Sequence, residues 1–432
     1  MAARFHVETL GCPKNAVDSD KVIASLSADG LERADSAESA DLIVVNTCAF
    51  IEAARQESID VALALSDVRK PGAKIVLTGC MAERYGDELA AALPEADAVV
   101  DFAHEGTISN VVLKTKPKGV RDLLELPRAK PDAPWAYVKI AEGCDRACAF
   151  CAIPSFRGTQ RSRTPDAIEA EARALVEQGV TELVLVAQDL AWYGRDAGEP
   201  GALTPLLHRL DALRANGLTR VRLLYLYPSE VRGNLVRAML DLPSVVPYFD
   251  LSLQHASATL LRRMKRWGSG DRFRALLAEI RAERPAAVFR SSFIVGFPGE
   301  TEADHDALLE FLADAQLDWA GFFPFSKEDG TAAAAMDGEI APTLMAERLR
   351  ECDEVQDPIT TAKRAALVGE EVDVLIDRIE DGQPIGRTYR EAPEIDGIVR
   401  ILGENVFARP GATVRATISG VEGPDLDAKV GA

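Results

Sequence analysis

The sequence predicts an α/β fold in three parts: a doubly wound parallel sheet, an open six-stranded β/α (partial TIM) barrel, and a small antiparallel β-barrel. Three observations predict it. Short apolar runs alternate with helical stretches in two separate series, residues 1–115 and 135–365, divided by a proline- and charge-rich stretch at 116–134. From residue 366 to 432 the texture changes to alternating strands punctuated by Gly and Pro. Six of the seven cysteines fall at predicted strand ends or in one tight loop. A chain of 432 residues, 47% hydrophobic, exceeds what a single core serves, so several domains are expected.

Within residues 1–115 the strands are Phe5–Leu10, Asp41–Asn46, Lys74–Thr78 and Ala98–Val100, and the helices Ser19–Leu31, Glu52–Leu65 and Ala82–Leu93. Cys12, Cys48 and Cys80 each follow one of these strands. Strand carboxyl ends line the ligand crevice of such a sheet, so three thiols distant in sequence are expected to meet at one edge. Any one of them alone also suits a small core position. Residues 116–134, with Lys114-Thr-Lys-Pro-Lys across their start and Pro127-Arg-Ala-Lys-Pro-Asp-Ala-Pro within, read as a linker.

From Trp135, strands recur at Ala136–Ile140, Glu182–Val186, Val221–Leu226, Phe249–Leu253, Arg290–Val295 and Trp319–Phe323. Helical stretches separate them, and a β/α barrel keeps its chemistry at the strand carboxyl ends. Directly after the first strand comes Cys144-Asp-Arg-Ala-Cys148-Ala-Phe-Cys151. That spacing suits a tight loop giving three thiolates to one inorganic cluster and leaving one iron of four open to a second molecule. A structural zinc wants a fourth Cys or His nearby, and His104 and His208 lie forty or more positions off. Gln188, Gln254 and the Gly296-Phe-Pro298-Gly299 turn fall at predicted strand ends facing the same mouth, and Phe150 stands beside the third cysteine. These are candidate contacts for a bound nucleoside cofactor; a loop-capping role fits each polar one as well. His255 suits a structural role and is not assigned as a base. Cys352, without partners on a long helical stretch from Thr343 to Ala366, reads as packing.

The charge balance disfavours one class of partner. With 68 acidic against 49 basic residues the chain is −19, and residues 366–432 alone hold 13 acidic and 7 basic, a net −6. A nucleic-acid footprint needs clustered positive charge, so direct nucleic-acid binding is disfavoured and a basic protein partner fits better. Acidity that serves only solubility fits the count equally. The N-terminus has no apolar signal region and no stretch approaches the roughly 18 apolar residues of a membrane span. The expected address is the cytoplasm, with no membrane partner, and cysteines serving as reduced ligands.

The cysteine loop resembles the signature of the radical S-adenosylmethionine enzymes. Taken with Leu10-Gly-Cys-Pro-Lys-Asn, Asn46-Thr-Cys-Ala-Phe-Ile-Glu, Thr78-Gly-Cys-Met-Ala-Glu-Arg-Tyr85, Ile140-Ala-Glu-Gly-Cys, Ile153-Pro-Ser-Phe-Arg-Gly158, Leu253-Gln-His-Ala-Ser257 and Phe293-Ile-Val-Gly-Phe-Pro-Gly-Glu-Thr301, nearly the whole chain resembles the methylthiotransferases. Gly-Cys-Pro-Lys-Asn and Lys-Ile-Ala-Glu-Gly-Cys are similar to the RimO branch, which modifies an aspartate of ribosomal protein S-twelve to 3-methylthioaspartate. The sister branch, which modifies adenosine in transfer RNA, is the alternative, and a non-catalytic iron–sulfur carrier or RNA-binding module a more distant one.

The resemblance implies two 4Fe-4S clusters, one on Cys144, Cys148 and Cys151 that cleaves S-adenosyl-L-methionine to a radical, the other on Cys12, Cys48 and Cys80 carrying the transferred sulfur. It implies a C-terminal barrel of TRAM type, and ribosomal protein S-twelve as the substrate. An external electron donor is required, and a flavodoxin or ferredoxin fits. Beyond the cluster ligands it assigns no catalytic residue. Ser252, and Leu190-Ala-Trp192 between Gln188-Asp189 and Tyr193-Gly194, depart from the family pattern.

Overall fold

The computed structural model describes residues 2–113, 126, 128–403 and 408–431. Most of the expected linker, residues 116–125 and 127, lies outside them. Among the described residues no helix is long and apolar enough to cross a membrane.

The N-terminal sheet runs in the order β2-β1-β3-β4-β5 with every pair parallel. Its strands are β1 (Arg4–Thr9), β2 (Glu32–Arg33), β3 (Leu42–Thr47), β4 (Lys74–Gly79) and β5 (Ala98–Val99). All of β3 is buried, as expected of a Leu-Ile-Val-Val run covered on both faces by helices. The helices are α1 (Pro13–Ala28), α2 (Glu52–Val68), α3 (Cys80–Ala92) and the short α4 (Asn110–Leu113). Helix α1 starts six residues before the expected Ser19. Pro13 suits a first helical position, but the turns after it bury Asn15, Asp18 and Ser19 instead of an apolar stripe. Apolar periodicity therefore could not reveal them.

The second part begins at β6 (Trp135–Lys139). A small antiparallel pair, β7 (Ala141–Glu142) with β8 (Arg161–Ser162), brackets the cysteine loop and α5 (Ile153–Arg157). Then follow α6 (Pro165–Glu177), β9 (Glu182–Val186), α7 (Leu203–Asp211), β10 (Arg220–Leu223), α8 (Asn234–Asp241), β11 (Tyr248–Gln254), α9 (Ala258–Arg263), α10 (Gly270–Glu283), β12 (Val288–Val295), α11 (Glu302–Ala315), β13 (Trp319–Pro324) and α12 (Pro342–Ala365). The parallel order is β6-β9-β10, then β11-β12-β13, joined among the described residues by single bridges at Val221 with Val245 and Leu226 with Leu251. The six expected strands are there, with the ladder thinned at the middle. Tyr225 is left-handed there, at φ +63°, and β11 carries a bulge between Leu251 and Gln254. Cys352 lies fully buried on α12, in the barrel's main apolar core.

The C-terminal strands β14 (Glu371–Glu380), β15 (Gln383–Arg387), β16 (Val399–Leu402), β17 (Thr413–Glu422) and β18 (Asp425–Lys429) close a barrel in the order β14-β15-β16-β18-β17. Four pairings are antiparallel, but β16 and β18 run parallel. This corrects the expectation of a wholly antiparallel barrel, since alternating directions cannot close on five strands. Val374, Ile376, Val399, Ile401 and Ile418 are among the residues filling its interior.

The segment between β15 and β16 leaves this small barrel and plugs the amino-terminal end of the large one. Arg220 Nη1 donates to the carbonyls of Arg387 and Thr388 at 2.9 and 3.0 Å, and Arg222 Nη1 to that of Tyr389 at 2.9 Å. Trp319 Nε1 donates to Arg390 O at 2.8 Å, and the Tyr248 hydroxyl to Asp396 at 2.6 Å. Glu182, wholly buried, is the counter-ion shared by Arg222 and Arg387.

Candidate functional site

The opposite, carboxyl end of the large barrel faces the N-terminal sheet, and all six expected ligand cysteines gather there as free thiols. Cys12 precedes Pro13 of α1, Cys48 follows β3, and Cys80 opens α3. Gly11, at φ +92°, lets the first two loops touch: a β-carbon there would stand 2.7 Å from Cys48 Cβ. The three thiols lie within one another's electrostatic reach. Cys12 and Cys80 both act on Cys48, and Cys12 acts on Cys80. Burial pushes Cys48 up to about 11 and also raises Cys80, against the opposing Arg157. Burial works the same way on Cys12, but Lys14, Arg157 and nearby backbone N–H groups outweigh it and hold this thiol below its ordinary value.

The second triad lies on the loop after β7. Burial pushes Cys144 up to about 11 and Cys151 to about 12, and each feels Cys148. Arg266 Nη1 stands 3.4 Å from Cys148 Sγ, and its Nη2 donates to Ser252 O. Beside the loop runs a ladder of guanidiniums and rings. Arg146 sits between Trp192 at 3.9 Å and Tyr227 at 3.8 Å, Arg195 covers Trp192 at 4.1 Å, and Arg266 covers Tyr227 at 4.0 Å. Arg146 Nε donates to Asp189 at 2.7 Å. Trp192, one of the departures noted above, is thus a rung of this ladder.

A buried polar network spans the wall between the triads. Arg157 Nη2 donates to Cys80 Sγ at 3.0 Å and Asn15 Oδ1 at 2.8 Å, and its Nη1 to Asp18 and Glu142, both at 2.9 Å. Lys139 pairs with Asp18 and, at 2.5 Å, with Glu142. Glu142 Oε1 accepts from Gln188 Nε2 at 2.5 Å and from Gly143 N, next to Cys144. Burial would raise Glu142, but Arg157 and Lys139 hold it well below the usual carboxylate range. Arg157, Lys139 and Glu142 all stand in segments that carry the family resemblance, and the sequence assigns none of them a role. Their sequence signal is that these two segments flank the cysteine loop on either side.

Among the expected cofactor contacts, Gln188 presents a buried Oε1 with no partner among the described residues; Asp189 Oδ1 and Arg266 Nε, not expected from the sequence, stand likewise. Gln254 ends β11 in a left-handed conformation at φ +72°. Phe150 packs half-buried against the barrel core. The Gly296-Phe-Pro298-Gly299 turn spends its polar groups internally. Gly296 N donates to Glu300 at 2.7 Å, Pro298 O accepts from Arg263 Nε at 2.8 Å, and Gly299 N donates to Gly338 O at 2.7 Å. A β-carbon at Gly296 would run into Met345, so close packing accounts for that glycine. His255 is buried, accepts from Ser257 N at Nδ1, and is pushed down to about 3 by burial, which suits a structural histidine.

Among the described residues no three His, Cys, Asp or Glu side chains close on one point as a single ion requires. In a four-iron cluster each thiolate binds a different iron, so its ligands need not converge that tightly. Two sets of three thiols, with orphaned buried polar atoms beside one of them, fit two such clusters and a bound polar cofactor.

Comparison with known proteins agrees. Residues 138–312 match the radical SAM superfamily, residues 4–101 the uncharacterized protein family UPF0004, and residues 368–430 the TRAM domain. The fold and site thus define a radical S-adenosylmethionine enzyme, a class that uses a 4Fe-4S cluster with S-adenosyl-L-methionine. Relatives named "Ribosomal protein uS12 methylthiotransferase RimO" include those of Saccharopolyspora erythraea, 42% identical over 98% of this chain and 94% of that protein, and Desulforudis audaxviator, 43% identical over 99% and 97%. The chain belongs to this RimO methylthiotransferase family, whose members carry a second iron–sulfur cluster. Among solved structures, the radical S-adenosylmethionine methyltransferase TsrM from Kitasatospora setae, with cobalamin and a 4Fe-4S cluster bound, is similar in fold alone, at a TM-score of 0.55, 13% identity and 77% coverage of each chain.

Proposed function

We propose that this protein is a radical S-adenosylmethionine methylthiotransferase that adds a methylthio group to the β-carbon of an aspartate in ribosomal protein S-twelve. Cys144, Cys148 and Cys151 hold one 4Fe-4S cluster, and Cys12, Cys48 and Cys80 the other. The observation that carries the assignment is that two thiol triads, from different parts of the chain, line the two sides of one polar wall. Bound there, these groups supply one-electron cleavage of a sulfonium and a sulfur for transfer. The protein's own residues do the holding. Gln188, Asp189 and Arg266 offer unpaired polar atoms to the cofactor beside the Cys144 loop, and Phe150 and Gln254 border it. Lys14, over the Tyr225 ring at 3.7 Å, keeps positive charge by Cys12. Residues 1–115, 135–365 and 366–432 serve as the cluster-bearing, radical and TRAM-like units, with 116–134 linking the first two. A flavodoxin or ferredoxin in the cytoplasm donates the electrons.

Anaerobic reconstitution tests this reading directly. The wild type takes up about eight irons, and each triple Cys→Ala variant about four. Incubation with S-adenosyl-L-methionine, reductant and either a peptide from the ribosomal protein's loop or unmodified tRNA, followed by mass spectrometry, puts the methylthio group on the peptide. Zinc in place of iron, or a modified tRNA with an unchanged peptide, overturns the assignment.

A further inference from the structure

We propose that Arg157 is a positioning residue that sets the reduction potential of the cluster held by Cys12, Cys48 and Cys80 and ties that centre to the radical site. This rests on the cluster assignment above and goes beyond it. The guanidinium reaches two ways at once. One nitrogen donates to Cys80 Sγ and Asn15, the other to Asp18 and Glu142, with all four distances between 2.8 and 3.0 Å. Its Cζ lies 4.3 Å from the centroid of the Phe102 ring, and its side chain is 3% exposed. Water therefore does little to screen it, and its charge is permanent.

Two consequences follow. A fixed cation hydrogen-bonded to a ligand sulfur favours the more negative, reduced state of the group on that sulfur, so Arg157 raises the midpoint potential. The same side chain grips Glu142, whose other oxygen holds Gln188 and the amide before Cys144. An unbroken path of hydrogen bonds runs Cys80, Arg157, Glu142, Gln188, from one triad to the wall of the other. Lysine cannot replace it: one ammonium has neither the planar fork nor the reach to serve acceptors on both sides. The other cation facing this triad, Lys14, acts on Cys12 through its charge and sits over the Tyr225 ring, which separates the two contributions.

The test reads each centre alone by electron paramagnetic resonance during a redox titration. In a Cys144→Ala, Cys148→Ala, Cys151→Ala background only the Cys12, Cys48 and Cys80 centre remains. There Arg157→Gln shifts the midpoint to a more negative potential, and Arg157→Lys, which keeps charge but loses the fork, falls between it and the parent. In the complementary background lacking Cys12, Cys48 and Cys80, Arg157→Gln moves the midpoint less. An unchanged midpoint in the first background overturns the inference, as does an equal shift in both. Should Arg157→Gln fail to fold, Arg157→Lys decides alone, a negative shift supporting the inference and none removing it. Should the parent background assemble no four-iron cluster, the proposed function is what fails.

Discussion

Glu182→Gln removes the shared counter-ion from the amino-terminal end of the large barrel. Glu182 is fully buried, with Arg222 Nε at 2.8 Å from one oxygen and Arg387 Nη2 at 3.0 Å from the other. Burial opposes its ionisation, but Arg387, Arg222 and Arg220 overcome this and lower it from 4.5 to about 2. At about 1.4 kcal/mol per unit, that shift corresponds to about 3 kcal/mol of stability. Breaking a buried ion pair from one side costs a similar amount. Because the folded value is depressed, the contribution is full above the unfolded value near 4.5 and fades as pH falls toward 2. The gap between wild type and Glu182→Gln is therefore about 3 kcal/mol at pH 7 and about 2 kcal/mol at pH 3.5. Urea unfolding in a Trp192→Phe, Trp267→Phe background reads it, since the remaining Trp135 and Trp319 lie in or against the buried cluster beside the plug. A gap under about 1 kcal/mol at pH 7, or one that widens on acidification, refutes the reasoning.

Other substitutions probe the ladder and the odd cysteine. Trp192→Ala uncovers one face each of Arg146 and Arg195 and lowers stability by about 1–2 kcal/mol for two cation–π contacts, with Trp192→Phe recovering part of it, as measured by thermal unfolding. Cys352→Ala leaves the reconstituted iron content unchanged and costs about 1 kcal/mol in urea unfolding; burial pushes this thiol up to about 12, so it stays protonated in the core.

How far the sequence reached depended on whether the information was local. The Cys144 loop was legible because three ligands within eight residues state their purpose by spacing alone. The other triad was legible only through the fold: alternating strands and helices imply a parallel sheet, and the sheet brings its strand ends together. Arg157 was not legible as a hub. Its partners Cys80 and Asn15 lie 77 and 142 positions away, and nothing local distinguishes it from a solvated arginine. The start of α1 was hidden because its buried face is polar, so the usual contrast between apolar core and polar surface is inverted there. The plug from Arg387 to Asp396 was hidden for the same reason, since charged residues in a connection between strands ordinarily mean solvent.

That plug also changes what the acidic C-terminal module can do. Its net −6 favours a basic partner, yet most of its carboxylates already face the protein's own arginines. Arg400 meets Glu422, Asp425 and Asp427; Arg415 meets Glu371 and Asp373; Arg378 meets Glu380. Asp377 and Glu391 are buried against Arg387 and Arg364. Arg400 alone faces three carboxylates and Arg415 two, so the arginines blunt the module's negative field without cancelling it. The module also sits at the strand amino ends, whereas the cysteines lie at the carboxyl ends. Strands of five residues put about 16 Å between those ends, beyond the roughly 8–10 Å over which charge acts in physiological salt. The module therefore cannot steer a substrate side chain to the clusters by its field. Its structural work is to seal the amino-terminal end of the barrel, opposite the cysteine loops.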